Sequence, residues 1–120
     1  MSLLPKASNA DELISLSVNY FLYDDLVKQI EKDFALANES LVFSKEMPPI
    51  EIKHTIENKI AYLIQHQFSN YLNLLYIIDV SEDEIKNILP EDWNNLPEIV
   101  TYYILKREWK KVWFKKNYSF

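Results

Sequence analysis

Glu51, His54 and Glu57 follow one another at intervals of three residues, so on a helix they would place a carboxylate, an imidazole and a second carboxylate on neighbouring turns. The Glu-x-x-His spacing is the one that di-iron helix bundles use to hold metal. Such centres need four carboxylates and two of these motifs on separate helices, and this chain has a single motif. His66 lies twelve residues beyond His54, about 18 Å along the same helix, too far to share an ion with it. No metal site and no cofactor are therefore expected.

Composition removes other chemistries. The 120 residues include no cysteine and no glycine. Without cysteine there is no disulfide, no thiolate nucleophile and no Cys-ligated zinc or iron–sulfur cluster. At an average usage of about 7%, roughly eight glycines would be expected. Phosphate-cradling loops, dinucleotide fingerprints and nucleophile elbows need glycine for tight turns or close backbone approach, so none can form in standard geometry. The acidic clusters Asp24-Asp25, Glu82-Asp83-Glu84 and Glu91-Asp92 are runs of adjacent residues, which diverge around a helix instead of converging on a substrate. They read as acidity at helix starts and turns, where the dipole favours it. No catalytic residue is assigned, and the chain reads as non-enzymatic.

Charge is unevenly distributed. Residues 106–120 hold six basic side chains and one acidic, a formal +5, whereas residues 1–105 hold seven basic and seventeen acidic, a formal −10. Lys106, Arg107, Lys110, Lys111 and Lys115 alternate with Trp109, Trp113 and Phe114, and Lys116 extends the run. Such a surface suits a protein partner or a second copy of the chain, with Trp109 and Trp113 as anchors of a homodimer. The alternative is nucleic acid or an anionic membrane surface, with lysines on phosphate and aromatics stacking or wedging. Against both stands a simpler reading, in which cations near a helix C-terminus complement its dipole and form a solvated face. Asp79 falls at the end of an expected helix, where a carboxylate is disfavoured. Arg107, the only arginine, offers a bidentate fork and is its expected partner.

The elements carrying these residues are helical. Ile52 to Ile78 reads as one amphipathic helix of roughly 27 residues, with Ile56, Ile60, Leu63, Ile64, Tyr71, Leu74, Leu75 and Ile78 on one stripe. Gln67 lies within that stripe and is expected inside, held by a hydrogen bond. Residues 60–78 carry no formal charge, but Gln65, His66, Gln67, Ser69, Asn70 and Asn73 argue for a core helix over a membrane span. Upstream, Leu13, Leu16, Tyr20, Tyr23, Val27, Ile30 and Phe34 alternate spacings of three and four. That pattern predicts one long helix, or two nearly collinear ones broken near Asp24. Asn9 with Glu12 forms its capping box, and Asn38 takes its left-handed end. Residues 39–50 connect the two long helices, with Pro48-Pro49 barring helix before the second. Ser81 with Glu84 forms a second capping box, and Val80 with Ile85 a hydrophobic staple, for a short helix closed by Pro90. Asn95 with Glu98 offers a further capping box, opening the last helix, roughly 97–116.

The segment LNLLYIIDVSEDE, followed by the basic, aromatic YYILKREWKKVWF, resembles a group of small uncharacterised helical proteins of Bacteroidetes-type bacteria. The resemblance spans roughly residues 26–113, and Ile77 stands where that group has arginine. It implies a bacterial helical domain and no activity.

The expectation is an all-α, single-domain bundle of about four helices: residues 1–9 a flexible arm, 10–117 the domain and 118–120 a tail. Its expected role is a cytoplasmic protein–protein interaction or assembly module working through the C-terminal helix, with nucleic-acid binding by the same helix as the alternative.

Overall fold

The computed structural model describes residues 3–118. Six α-helices follow in order: α1 (Ala10–Asn19), α2 (Tyr23–Leu36), α3 (Pro49–His66), α4 (Phe68–Ile78), α5 (Glu82–Lys86) and α6 (Leu96–Asn117), with a 3-10 segment (Pro90–Asn95) leading into the last. No strand occurs among the described residues, so the all-α class holds. There are six helices instead of four because both long helices expected from periodicity are divided.

The first division falls at Phe21, three residues before the expected Asp24. Phe21 adopts a left-handed backbone (φ 59°), its N–H bonds to the Val18 carbonyl, and Leu22 N–H reaches back to Ser17 O at 2.8 Å. This is the Schellman closure that glycine usually makes. Leu22 is thereby turned into the core, while Phe21 is left 93% exposed. Asp24 and Asp25 consequently fall in the first turn of α2, the favourable end of its dipole. Asn38 (φ 64°) closes α2 with the same pair of bonds, in the left-handed role expected of it, and Asp79 (φ 70°) does so for α4.

The second division falls at Gln67, which separates α3 from α4 with a non-helical backbone (φ −146°, ψ 62°). Gln67 is exposed and its side-chain carbonyl accepts from Asn70 Nδ2, which corrects its expected burial. Its N–H still bonds to Leu63 O, and its carbonyl accepts from Asn70 and Tyr71. Helical phase therefore survives the break: Ile56, Ile60, Leu63, Tyr71, Leu74, Leu75 and Ile78 are all buried as the stripe predicts.

Of the three expected capping boxes, one forms. Asn9 Oδ1 accepts from Glu12 N–H at 2.9 Å, while Glu12 returns its carboxylate to Ser8 N–H, one residue early. Ser81 makes no side-chain cap, and the Glu84 carboxylate, which would have completed the box, pairs with Lys106 at 3.0 Å. Asn95 makes none either, since it belongs to the 3-10 segment from which α6 continues.

The middle of the molecule is α6, which packs against α1, α2, α3 and α4. Val100, Ile104, Leu105 and Trp109 are buried among them. The segment expected to be a loose arm is fastened to this helix. Trp109 Nε1 donates to Pro5 O at 3.1 Å, Tyr102 OH donates to Ala7 O at 2.8 Å, and Leu4 and Ala7 pack on the core. A buried indole N–H and a half-buried phenol at this helix need partners, and the backbone carbonyls of residues 5 and 7 supply them.

A lysine-lined groove over a buried acid cluster

Two turns of α2 and one of α6 form a basic concavity. Asp25, Lys28, Gln29 and Lys32 recur at helical intervals and so share one face of α2. Facing them, Val112, Lys115 and Lys116 share a face of α6. Together these seven residues line a groove of about 320 Å³. Four cations and one carboxylate give it a formal +3, which leaves −8 on the remainder of a chain whose total is −5. Lys28, Lys32, Lys115 and Lys116 form no ion pair among the described residues.

Behind this lining, Gln29 donates to both oxygens of Asp33 at 3.3 Å. Lys111 Nζ lies 2.6 Å from Asp33 Oδ2 and 3.2 Å from Glu108 Oε1. Asp33 is 5% exposed and Glu108 is fully buried. Glu108 shares the Lys111 ammonium with Asp33, which holds it at the shorter distance, so a second full negative charge at Glu108 would be left poorly compensated in a site closed to water. Burial, reinforced by the hydrogen bond to the Asp33 carboxylate beside it, pushes the Glu108 carboxyl up to about 9. At neutral pH it is a carboxylic acid and donates its proton to Asp33. Burial also acts to raise the Asp33 carboxyl, but hydrogen bonds from Glu108, Lys111 and Gln29 outweigh it and hold Asp33 below its ordinary range. The cluster thus contains one anion, one cation and one neutral acid, a combination that avoids an uncompensated buried charge.

The eight residues read from sequence as a binding surface separate into three environments, because a helix enclosed on several sides distributes consecutive residues among different neighbours. Trp109 (2% exposed) and Trp113 (6%) lie in the core, with Tyr20 set edge-on to Trp113 at 5.1 Å, so they cannot anchor an external partner. Lys106, Arg107 and Lys111 are engaged within the protein by Glu84, Asp79 and the Asp33/Glu108 pair. Lys110, Phe114 and Lys115 remain open to solvent. Arg107 Nη2 donates to Asp79 Oδ2 at 2.9 Å, the pairing anticipated from sequence, though Asp79 is largely exposed and binds through one oxygen. Lys28 and Lys32 were not singled out by the sequence. The signal for them is the polar spacing Asp25, Lys28, Gln29, Lys32, which is legible only when the hydrophilic face of α2 is read as closely as its apolar one.

His54 and His66 stay apart, on the exposed side of α3. His54 Nδ1 is 3.2 Å from Glu57 Oε1, and His66 leans on the Tyr62 ring at 4.9 Å. Among the described residues no group of three or more acidic, histidine or cysteine side chains is arranged to hold a metal ion. No helix among them is long and apolar enough to cross a membrane.

No family model, curated protein or solved structure matches this chain. The resemblance rests on the LNLLYIIDVSEDE and YYILKREWKKVWF segments alone, and the functional reading rests on the groove.

Proposed function

We propose that this chain is a non-enzymatic binding module that holds an acidic segment of a partner protein in the groove between α2 and α6. The observation that carries the reading is the convergence on one concavity of an otherwise acidic molecule of four lysines that form no ion pair among the described residues. Unpaired like charges side by side repel one another, and an anionic occupant relieves that repulsion. A compact acidic segment fits a groove of about 320 Å³ better than a long polyanion, which would extend over the acidic remainder and be repelled there. The carboxyls beneath are buried and closed to a substrate, which argues against their acting as acid or base.

A second reading, nucleic-acid binding, draws on one specific observation. The rings of Phe114 and Tyr118 lie 5.1 Å apart next to Lys115 and present a small stacking platform.

Fluorescence anisotropy separates the two, using a labelled oligoglutamate peptide and a single-stranded oligonucleotide of equal charge, each at about 50 and 200 mM salt. Peptide binding that is lost in Lys28→Glu/Lys115→Glu supports the partner-protein reading. Binding of the oligonucleotide alone, weakened by Phe114→Ala, would replace it with the second. Lys111 is unsuited to such a charge reversal, because it neutralises the buried Asp33.

A further inference from the structure

The outer face of α4 has a composition found on no other helix of the chain. Phe68, Leu72 and Tyr76 are 54%, 50% and 78% exposed, and their spacing of four residues sets them in one stripe along the helix. Phe68 is braced from behind by the buried Tyr71, with ring centroids 5.4 Å apart. Asn73 and Ser69 flank the stripe, and no Asp, Glu, Lys or Arg occurs anywhere from Ile60 to Ile78. Each of the other five helices carries charged residues.

We infer that α4 is a self-association face, on which two copies of the chain pair their α4 helices antiparallel about a two-fold axis passing beside Leu72. Two properties point to a second copy as the occupant. The first is charge. Each chain carries −5, so two copies approach most easily where neither presents any charge, and this stripe offers no steering to a charged partner of either sign. The second is symmetry. Phe68 and Tyr76 stand four residues on either side of Leu72, so a two-fold axis at Leu72 places Phe68 of one copy against Tyr76 of the other, twice over. The two ring contacts would lie about 12 Å apart along the helix, with the leucines packed between them. The inference is independent of the groove, which is built from α2 and α6.

The size of the face sets the strength. The exposed parts of these three side chains amount to roughly 350 Å² per copy, and the Ser69 and Asn73 flanks add to it. That is below the ~800 Å² per partner of a standard interface, so the dimer should be reversible, forming at tens of micromolar and above.

Sedimentation equilibrium from about 5 to 500 µM tests this on the full chain. A monomer–dimer equilibrium is expected for the native protein. Leu72→Glu should remain monomeric throughout with unchanged helicity, because the site is at the surface, whereas Lys115→Glu/Lys116→Glu should dimerise as before. A cysteine-free chain permits a second, geometric test: Leu72→Cys under mild oxidation should crosslink into a covalent dimer much faster than Lys32→Cys. A native chain that is monomeric over the whole range overturns the inference. So does a dimer that survives Leu72→Glu, and so does equal crosslinking at the two positions.

Discussion

Replacing Glu108 by glutamine should make the protein more stable at neutral pH, against the usual effect of altering a fully buried residue. The native carboxyl titrates at about 9, against 4.5 in the unfolded chain. Between those values the native state holds a proton that the unfolded state has released, so stability must fall as pH rises. Each pH unit in that window lowers the folding constant about tenfold, which from pH 4.5 to 7 sums to roughly 3 kcal/mol. Glutamine has nearly the same shape, cannot ionise, and can present an N–H to the Asp33 carboxylate in place of the acid proton. The variant should therefore lack this slope. For a chain of this size about 1 kcal/mol corresponds to a few degrees, so the native melting temperature should drop by on the order of 10 °C between pH 5.5 and 7.5. That of Glu108→Gln should stay nearly level, and the two curves should diverge with pH. Asp33 acts in the opposite sense: its lowered pKa contributes stability above its ordinary 3.8 that is lost only as pH falls through the native value, outside this window. Thermal melts followed by circular dichroism at four pH values are sufficient. A native melting temperature that is flat or rising from pH 5.5 to 7.5, or a variant whose curve runs parallel to it, would show that Glu108 is not held neutral.

Lys111→Ala removes the one cation that touches Asp33 and Glu108 among the described residues and should cost roughly 3–5 kcal/mol, whereas Lys110→Ala, one residue earlier and exposed, should stay within about 0.5 kcal/mol in urea unfolding. Phe21→Gly should stabilise by about 1 kcal/mol, because the left-handed backbone strains phenylalanine and the 93% exposed ring contributes no packing; a lower denaturant midpoint would contradict this. Trp109→Ala should destabilise by about 3–5 kcal/mol through the cavity and the lost bond to Pro5 O, enough to unfold much of the protein at 37 °C, and a native-like melt would refute its central place.

Much of the architecture could be read from apolar spacing. The stripe from Ile56 to Ile78 and the series Leu13, Ile30, Phe34 are in the core because burial follows helical phase. The breaks at Phe21 and Gln67 could not be read the same way. At Gln67 the hydrogen bonds carry the phase across the gap, and at Phe21 an aromatic residue occupies a position where glycine or asparagine is the recognisable sign. Local capping signals do not record tertiary partners or a preceding 3-10 turn: the Glu84 carboxylate pairs with Lys106, and Asn95 lies within the 3-10 segment. The site was the least legible part. A run of lysines and tryptophans looks like one surface in sequence, yet which of them face outward depends on α6 being enclosed by four helices, and the contribution of Lys28 and Lys32 depends on α2 lying beside it.

Because α6 forms the axis of the bundle and also follows the other helices in the chain, the order of synthesis runs against the order of assembly. Tyr102 and Trp109 close onto Ala7 and Pro5 across 95 and 104 residues. While α1 to α5 emerge from the ribosome, the apolar faces that will enclose α6 have nothing to enclose. Native structure must then be acquired late and cooperatively, in a nearly all-or-none step as α6 arrives, and not helix by helix. Nascent chains stalled before about residue 96 should remain protease-sensitive and in need of chaperone cover, and those extending past Trp113 should become resistant together.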